Sequence, residues 1–380
     1  MNPLRILIAT ESLELWGAER TLVELLKHVD QRRFRITLLV QDESPLAEVV
    51  EELGFHCIRH RFARHPALQK HGGLANAGMA ALAAETLSCL AGGLRLVPKV
   101  RRFDIVLSFS LWQAIEVLVA SRITRRAFVL DLHETFAGNA GHKFIRAITR
   151  FSNAVIAPSH SILSRSGLSA NSTKLKVIPR PVDTSAIEQR HFREHPRQQL
   201  TVGVFGQISP HKGVQDVVDA VASLQASTIR LLIVGGREED KRSRYENQIR
   251  ASVAHIGNGS SVIDRVPNVF GLMASCHLVV NASKHEAFGR GMVEAIAAGA
   301  LPIAIGEAGP SEIIRDAAIG VIVPDSEVLA SYLGDLLNGR QPMPRASEAA
   351  IESALRRYDP LNVASEYFDF LSTLLVAPKR

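Results

Sequence analysis

Short apolar segments alternate with amphipathic segments from one end of the chain to the other. The apolar segments have the length of strands that are buried on both faces, and the amphipathic ones place apolar residues at helical spacing. This alternation predicts α/β architecture, with parallel sheets covered by helices. The predicted strands are Leu4–Thr10, Phe34–Val40, Asp104–Ser108, Ala127–Leu132, Ala154–Ala157, Lys176–Ile178, Leu200–Phe205, Ile229–Val234, Leu278–Val280, Leu301–Ile305 and Gly320–Val323. The predicted helices include Ala18–Val29, Pro45–Leu53 and Ala354–Leu375.

One polar stretch divides the pattern into two series. Residues 184–199 contain no predicted strand and follow a turn-rich segment, so they are the predicted linker. We expect two doubly wound, Rossmann-like domains, residues 1–183 and 184–355, and a C-terminal helix in residues 356–380 that packs back on the first domain. Ligands of doubly wound sheets bind at the carboxyl ends of the strands, and two facing sheets would bind them in a central cleft.

Composition places the chain among soluble globular proteins. Of its 380 residues, 46% are hydrophobic and 22% are charged. The three cysteines are too few and too far apart for a disulfide framework or a clustered metal site, which favours a reducing, cytoplasmic compartment. The start of the chain does not have the pattern of a signal peptide, and the Ala-rich segment 74–97 is too polar for a membrane-spanning helix.

Positive charge is concentrated in one part of the chain. The formal net charge is +6, and residues 1–183 carry 24 basic against 16 acidic residues. Residues 59–102 contain a single acid, Glu85, and eight basic residues, which are Arg59, Arg61, Arg64, Lys70, Arg95, Lys99, Arg101 and Arg102. This asymmetry favours an anionic partner such as a membrane surface, although a solvated basic face explains it equally well. Nucleic acid is disfavoured, because aromatic residues make up only 6% of the chain.

The first candidate site follows a predicted strand at Ser209–Gly213. Lys212 lies in a turn just before a predicted helix. A lysine beside a helix N-terminus adds a positive charge where backbone N–H groups already favour anions, which suggests phosphate binding. The alternative is an ordinary surface lysine.

The second candidate site is the segment Ser283–Gly299, a strand end followed by a glycine-rich loop and a helix. Glu286 precedes the helix, so its carboxylate can face a ligand. Glu294 lies one turn inside, where its two oxygens could accept the vicinal hydroxyls of a ribose. Gly289 and Gly291 would let a phosphate approach the backbone amides.

The third candidate site is His133, which follows the predicted strand Ala127–Leu132. Its position at a strand end favours a place in the site. The alternative is a hydrogen-bonded structural histidine.

These motifs together resemble the retaining glycosyltransferases of family 4, which have the GT-B fold. The resemblance covers most of the chain. The matching residues are Ser283, Glu286-Ala287-Phe288-Gly289, Glu294 and Gly299, with the Gly17-Ala18-Glu19-Arg20 turn, Val182-Asp183, Lys212-Gly213, Gly309 and Glu312.

The resemblance implies a first domain that binds the acceptor and a second that binds a nucleotide sugar. Glu294 would hold the ribose hydroxyls and Glu286 would contact the donor sugar. His133 would bind the donor sugar or position the acceptor. Gly17 would let the first loop close over the phosphates, and the base would stack near Ile263–Val266. The residues implied at the diphosphate are Lys212 and the amides around Phe288, Gly289, Arg290 and Gly291.

One position departs from the family pattern. Gln207 stands in the nucleotide site where family members usually carry an arginine that neutralises the departing diphosphate. Arg290, at the start of the Glu294 helix, could supply the missing charge. The alternative is that Arg290 pairs with a nearby carboxylate.

The implied activity is retaining transfer of a sugar from a UDP-, GDP- or ADP-sugar, without a metal or other cofactor. The chain contains no D-x-D motif, which agrees with metal independence. The basic segment 59–102 favours a peripheral enzyme at the inner face of the cell membrane, acting on a lipid-linked or glycan acceptor in cell-envelope synthesis. The alternatives are a soluble small-molecule acceptor and a non-catalytic module that binds a nucleotide sugar. A Rossmann dehydrogenase is disfavoured, because G-x-G-x-x-G follows neither first strand.

Overall fold

A computed structural model describes residues 3–12, 15, 17–63, 79–134, 138–169, 172–187 and 199–376. The chain divides into two compact units, Met1–Pro181 with Pro360–Arg380 and Val182–Asp359. The first crossing between units lies within two residues of the predicted boundary, and the second crossing returns the chain to the first unit at Pro360.

The first unit contains a parallel sheet of seven strands. Its strands are β1 (Leu4–Thr10), β2 (Phe34–Gln41), β3 (His56–His60), β4 (Ile105–Ser108), β5 (Ala127–Asp131), β6 (Ala154–Ala157) and β7 (Leu175–Val177). Its helices up to the crossing are α1 (Gly17–Lys27), α2 (Leu46–Glu52), α3 (Met79–Val100), α4 (Ala114–Thr124), α5 (Gly138–Phe151) and α6 (His160–Arg165). The strand order is β3-β2-β1-β4-β5-β6-β7, so the order reverses between β1 and β4. This reversal is the point where doubly wound sheets open a crevice for ligands.

The second unit contains a parallel sheet of six strands. Its strands are β8 (Leu200–Phe205), β9 (Ile229–Gly236), β10 (Ser261–Asp264), β11 (Leu278–Asn281), β12 (Leu301–Ile305) and β13 (Val321–Val323). Its α-helices are α7 (Val214–Ser223), α8 (Arg244–Ile256), α9 (Phe270–Ala274), α10 (Arg290–Ala297), α11 (Gly309–Ala317), α12 (Ser326–Leu337) and α13 (Glu348–Arg356). The order is β10-β9-β8-β11-β12-β13, which reverses between β8 and β11.

The C-terminal segment corrects one prediction. Instead of a single helix over Ala354–Leu375, the chain forms α13 and then α14 (Pro360–Val376). Proline disfavours helical backbone at the preceding residue, Asp359, but fits the first position of a helix, where no N–H is required. The buried residues of α14 belong to the core of the first unit and are Val363, Ala364, Tyr367, Phe368 and Leu371.

The helices of the described residues include none that combines the length and hydropathy needed to cross a membrane.

Candidate active site

Gly213 allows two loops to come into contact at the β8/β11 reversal. Gly213 adopts φ 64° where the 3₁₀ turn Pro210–Lys212 meets α7. A Cβ on Gly213 would collide with the carbonyl oxygen of Ala282, in the loop after β11. No side chain fits there, so glycine allows the backbones of the two loops to meet.

Lys212 and Glu286, both predicted to contact the donor, form an ion pair across these loops. Lys212 Nζ lies 2.6 Å from Glu286 Oε2, and the side chains are 31% and 23% exposed. Ser283 Oγ also links the loops, donating to the carbonyl oxygen of His211 over 3.4 Å. Burial, with the charge of Lys212, lowers the pKa of His211, so its ring is neutral at pH 7. The Lys212–Glu286 pair thus lies at the carboxyl ends of the central strands, where ligands of doubly wound proteins bind.

The loop before α10 is fixed against the start of α11. Gly289 has φ 95°, and a Cβ there would lie 2.7 Å from the ring of Pro310. The Gly309 N–H donates to the carbonyl oxygen of Glu286 over 3.1 Å, and a Cβ on Gly309 would lie 2.6 Å from the backbone of Ala287. This packing leads the chain into α10, whose N-terminal amides favour an anion.

Phe288 lies two residues before α10 and Gly291 is the second residue of this helix, and their environments differ. The Phe288 ring is buried 5.7 Å from the ring of Tyr358, so this residue can offer a ligand its backbone but not its side chain. A Cβ on Gly291 would meet no atom within 4 Å, so packing does not require glycine at that position. The open space leaves room for a ligand beside the backbone.

Arg290 and Glu294 are neighbours on one face of α10. Arg290 Nη2 lies 3.6 Å from Glu294 Oε1, and both side chains are mostly buried. The sequence left open whether Arg290 pairs with a carboxylate or with a diphosphate, and this contact is of the first kind. Gln207, half-buried directly after Gly206, completes the predicted set in this unit.

Gly17 begins α1, one residue before the predicted start of this helix at Ala18, and its role at the phosphates stays a prediction. Thr21 Oγ1 donates to the carbonyl oxygen of Gly17 over 2.9 Å, and Glu19 in the first turn complements the helix dipole. Leu22, Leu25 and Leu26 then bury one face, which favours a helix from this point.

His133 lies two residues beyond the end of β5 and is nearly buried, with 12% of its side chain exposed. Its Nδ1 lies 3.4 Å from Asp131 Oδ1, and its ring centroid is 4.9 Å from that of Phe109. Arg180 and Tyr367 bind the same Asp131 carboxylate. Sequence reasoning missed these partners, which lie 49 and 236 residues away from Asp131. The sequence signal that could have revealed these partners is Asp131 itself, a carboxylate within an apolar predicted strand, because a buried charge requires a partner.

A second group of carboxyls in the first unit was also missed. Glu11 follows β1, and burial together with the charges of Glu134 and Glu116 raises its pKa to about 8. Glu134 accepts a hydrogen bond from Ser110 Oγ over 3.2 Å. Acids therefore lie close together near the β1/β4 reversal.

Two doubly wound parallel-sheet units of this kind define the GT-B class of glycosyltransferase folds. Family models agree with this class: Glycosyltransferase Family 4 matches residues 16–186, and Glycosyl transferases group 1 matches residues 186–353. The chain belongs to glycosyltransferase family 4. The predicted family and fold class are thus confirmed.

Two bacterial relatives act on lipid-linked substrates according to their names. Phosphatidyl-myo-inositol mannosyltransferase of Mycobacterium leprae is 32% identical over 204 residues, covering 52% of this chain and 53% of the relative. GDP-mannose:cellobiosyl-diphosphopolyprenol alpha-mannosyltransferase of Xanthomonas campestris is 28% identical over 219 residues, covering 54% and 55%. The chain thus spans about half the length of the curated relatives it matches.

Solved structures share the fold over nearly the whole chain. Anabaena HepE in complex with UDP matches with a TM-score of 0.75 and 19% identity, covering 97% of this chain and all of that one. A glycosyltransferase from Rickettsia africae matches with a TM-score of 0.76 and 17% identity, covering 99% of each chain. At this identity the likeness concerns the fold.

Proposed function

We propose that this chain is a metal-independent glycosyltransferase that moves a sugar from a nucleoside diphosphosugar to an acceptor hydroxyl, with retention at the anomeric carbon. The observation that carries the proposal is the Lys212–Glu286 pair, 2.6 Å apart where the β8 and β11 loops meet. The pair lies on the two motifs that match the family's donor site. A cation at the carboxyl ends of the strands of a doubly wound sheet can bind a diphosphate, and a carboxylate beside it can accept hydrogen bonds from sugar hydroxyls.

The diphosphate would bind between Lys212, Arg290 and the amides that begin α10 at Gly289 and Gly291. Arg290 would leave Glu294 for the departing diphosphate, and the freed Glu294 carboxylate would accept the ribose hydroxyls. This single movement of the Arg290 side chain would prepare the sites of both the diphosphate and the ribose. Arg290 would thereby supply the charge of the family arginine that is replaced by Gln207 in this chain. The resting ion pair would keep both groups near their binding positions until the donor arrives.

In the proposed reaction the bond between the anomeric carbon and the phosphate oxygen breaks, and the electron pair leaves with the diphosphate. The acceptor hydroxyl oxygen forms the new bond on the same face of the sugar. Its proton passes to the departing phosphate oxygen, so no carboxylate nucleophile is required. Positive charge that balances the leaving diphosphate lowers the barrier for bond cleavage.

The first test is calorimetric binding of UDP, GDP and ADP, each with EDTA present. Micromolar binding of one of them supports the proposal and identifies the donor class. Lys212→Ala should weaken binding of that diphosphate by about tenfold or more while leaving its nucleoside unaffected, because a charged hydrogen bond is lost. Lys241→Ala is the matched control, since Lys241 forms an exposed ion pair with Glu238, also at 2.6 Å. If none of the three nucleotides binds, the proposed donor site is overturned.

We also propose a lipid-linked acceptor and peripheral binding to the cytoplasmic face of an anionic membrane. The support is the face of α3 that carries Leu87, Leu90 and Leu94, of which Leu87 is 66% and Leu94 61% exposed. The exposed basic residues along and just beyond this helix are Arg95, Arg101 and Arg102, while Arg64 and Lys70 of the predicted basic segment lie outside the described residues. An apolar stripe beside basic residues suits an interfacial helix, with about 1 kcal/mol contributed by each well-placed basic residue.

Flotation with vesicles tests this surface. The chain should float with vesicles of anionic lipid more than with neutral ones, and the double variant Leu87→Gln with Leu94→Gln should lose that binding. Ile123→Gln is the control, because Ile123 is an exposed apolar residue on the neighbouring α4. No recovery with either vesicle type would favour the soluble acceptor, and equal recovery with both would contradict the role of anionic lipid.

A further inference from the structure

Asp131 is a carboxylate of the first unit with several hydrogen-bond partners. It ends β5 and is completely buried. Oδ2 accepts a hydrogen bond from Arg180 Nη1 over 3.0 Å and another from the Tyr367 hydroxyl over 2.7 Å. Oδ1 is bonded to Arg180 Nη2 and lies 3.4 Å from His133 Nδ1. Each oxygen therefore has two partners, which a carboxylate can accept with all of its lone pairs.

The neighbours of Asp131 and Tyr367 determine whether these two side chains are ionised. Burial alone would raise the pKa of Asp131, but the Arg180 charge and the hydrogen bonds outweigh burial and lower the pKa to about 2. Burial and the charge of Asp131 raise the pKa of Tyr367 well above its usual value. At neutral pH Asp131 is therefore a carboxylate, and Tyr367 is a neutral phenol that donates a hydrogen bond to it.

We infer that Asp131 is a positioning residue for His133, holding a hydrogen on Nδ1 so that Nε2 is the nitrogen that binds a substrate hydroxyl. An ionised carboxylate can only accept, so the ring nitrogen beside it must be the donor. Phe109 supports the ring face, and Arg180 lies over the same Phe109 ring at 5.8 Å. The ring is thereby held by a hydrogen bond and by packing.

The remaining members fix the carboxylate itself. Arg180 is the residue before Pro181, where the chain leaves the first unit, and Tyr367 lies on α14, after the chain returns. Two segments far apart in sequence thus orient the group that orients His133. The inference rests on the proposed function, because the role of His133 in sugar transfer belongs to that proposal.

Nitrogen NMR of protein labelled with ¹⁵N-histidine tests the tautomer without reference to activity. The His133 signals are assigned by their loss in His133→Gln. We expect the neutral form of the ring, reached by raising the pH, to carry its hydrogen on Nδ1 and none on Nε2. A neutral ring with its hydrogen on Nε2 would overturn the inference. This readout stands even if the wild-type protein releases no nucleotide from any donor, an outcome that would count against the proposed function instead.

Kinetics test the consequence, with UDP-glucose and GDP-mannose as probes and nucleoside diphosphate release as the readout. Asp131→Asn should lower kcat about tenfold or more, since an amide opposite Nδ1 supports the wrong tautomer. The donor KM should change little, because the proposed nucleotide ligands belong to the other unit. The loss should disappear in a His133→Gln background, whereas a purely structural defect would persist there. An Asp131→Asn protein that is folded and has wild-type kcat would contradict the inference.

A milder variant is needed if Asp131→Asn fails to fold because the buried Arg180 loses its counter-charge. Tyr367→Phe removes one hydrogen bond from the carboxylate and keeps the ion pair. We expect kcat to fall about threefold or more, as a hydrogen bond to a charged group implies, again only when His133 is present. Tyr332→Phe is the control, because the Tyr332 hydroxyl is buried and has no hydrogen-bond partner among the described residues. Equal kcat in the two phenylalanine variants would overturn the inference.

Discussion

At the scale of single residues, neighbours decide whether a buried carboxyl is ionised. Asp131 ends β5 and Glu11 directly follows β1, and both carboxyls lose solvent on folding. Arg180 reverses the effect of burial on the pKa of Asp131. At Glu11 the charges of Glu134 and Glu116 add to burial, and the pKa rises to about 8. The same fold therefore holds one carboxylate charged and keeps one carboxylic acid neutral at pH 7.

Glu11 makes stability depend on pH. In the unfolded chain its pKa returns to about 4.5, so between pH 4.5 and 8 the folded state binds more protons than the unfolded one. The free energy of unfolding should then fall with rising pH, by up to about 1.4 kcal/mol per pH unit from this group. Glu11→Gln removes the dependence and should melt about 2 °C or more above wild type at pH 8.5, but not at pH 5. Thermal unfolding from pH 5 to 9 measures this, with exposed Glu352→Gln as the control. Parallel curves for wild type and Glu11→Gln would contradict it.

Arg290 and Gln207 carry a second prediction at this scale. Arg290→Ala should lower kcat between about tenfold and a hundredfold, because a charge that balances the leaving diphosphate is lost. Adding Gln207→Arg should restore part of the loss, since it returns the family's cation. Arg357→Ala is the control, as Arg357 pairs with Asp316 on an exposed surface at 3.0 Å. Full turnover in Arg290→Ala would end the proposed role of Arg290 and leave its pairing with Glu294 as the explanation.

At the scale of elements, the sequence predicts best where the chain is buried on both faces. The ends of β1, β6, β8 and β12 match their predictions to the residue, because each is a mostly apolar run in which most residues are buried. The strands β3 and β10 were not predicted. Both lie at a sheet edge and are only partly buried, so His56–His60 and Ser261–Asp264 carry polar residues that hide the strand pattern.

The candidate site also contains some residues that local sequence predicts and others that it does not. Lys212, Glu286 and Glu294 lie on local motifs that a reader of the sequence can recognise. The partners of His133 cannot be found locally, because Arg180 and Tyr367 reach Asp131 only through tertiary packing. The pairing of Arg290 with Glu294 can be predicted from their spacing on a helix. The proposed movement of Arg290 from Glu294 to a diphosphate cannot, because it depends on the bound ligand.

The packing of α14 yields a prediction at the element scale. Phe368 is buried, with its ring 5.5 Å from that of Phe34 at the start of β2. Phe368→Ala should lower the free energy of unfolding of the first unit by about 3–5 kcal/mol, because it removes a large side chain from a packed core. Leu361→Ala on the same helix should cost little, since Leu361 is exposed. Denaturant unfolding of the two variants decides, and equal losses would contradict the assignment of α14 to this core.

At the scale of the whole molecule, the two units differ in how the chain builds them. The hydrophobic core of the first unit combines residues 6–178 with residues 363–371 of α14. The core clusters of the second unit are drawn from residues 182–358, a single continuous stretch. The proposed nucleotide ligands Lys212, Glu286, Arg290 and Glu294 all lie in that stretch.

Excision of each part should therefore give opposite results. Residues 182–359 should unfold cooperatively and bind the preferred nucleoside diphosphate within about tenfold of the full chain, a difference of about 1.4 kcal/mol. Residues 1–181 lack the α14 side chains that complete their core and the Tyr367 hydroxyl that satisfies Asp131, so they should not unfold cooperatively. Circular dichroism melting and calorimetry of both pieces measure these outcomes. If 182–359 folds but binds no nucleotide that the full chain binds, residues of the first unit must contribute to the donor site, and Gly17 would be the first position to change.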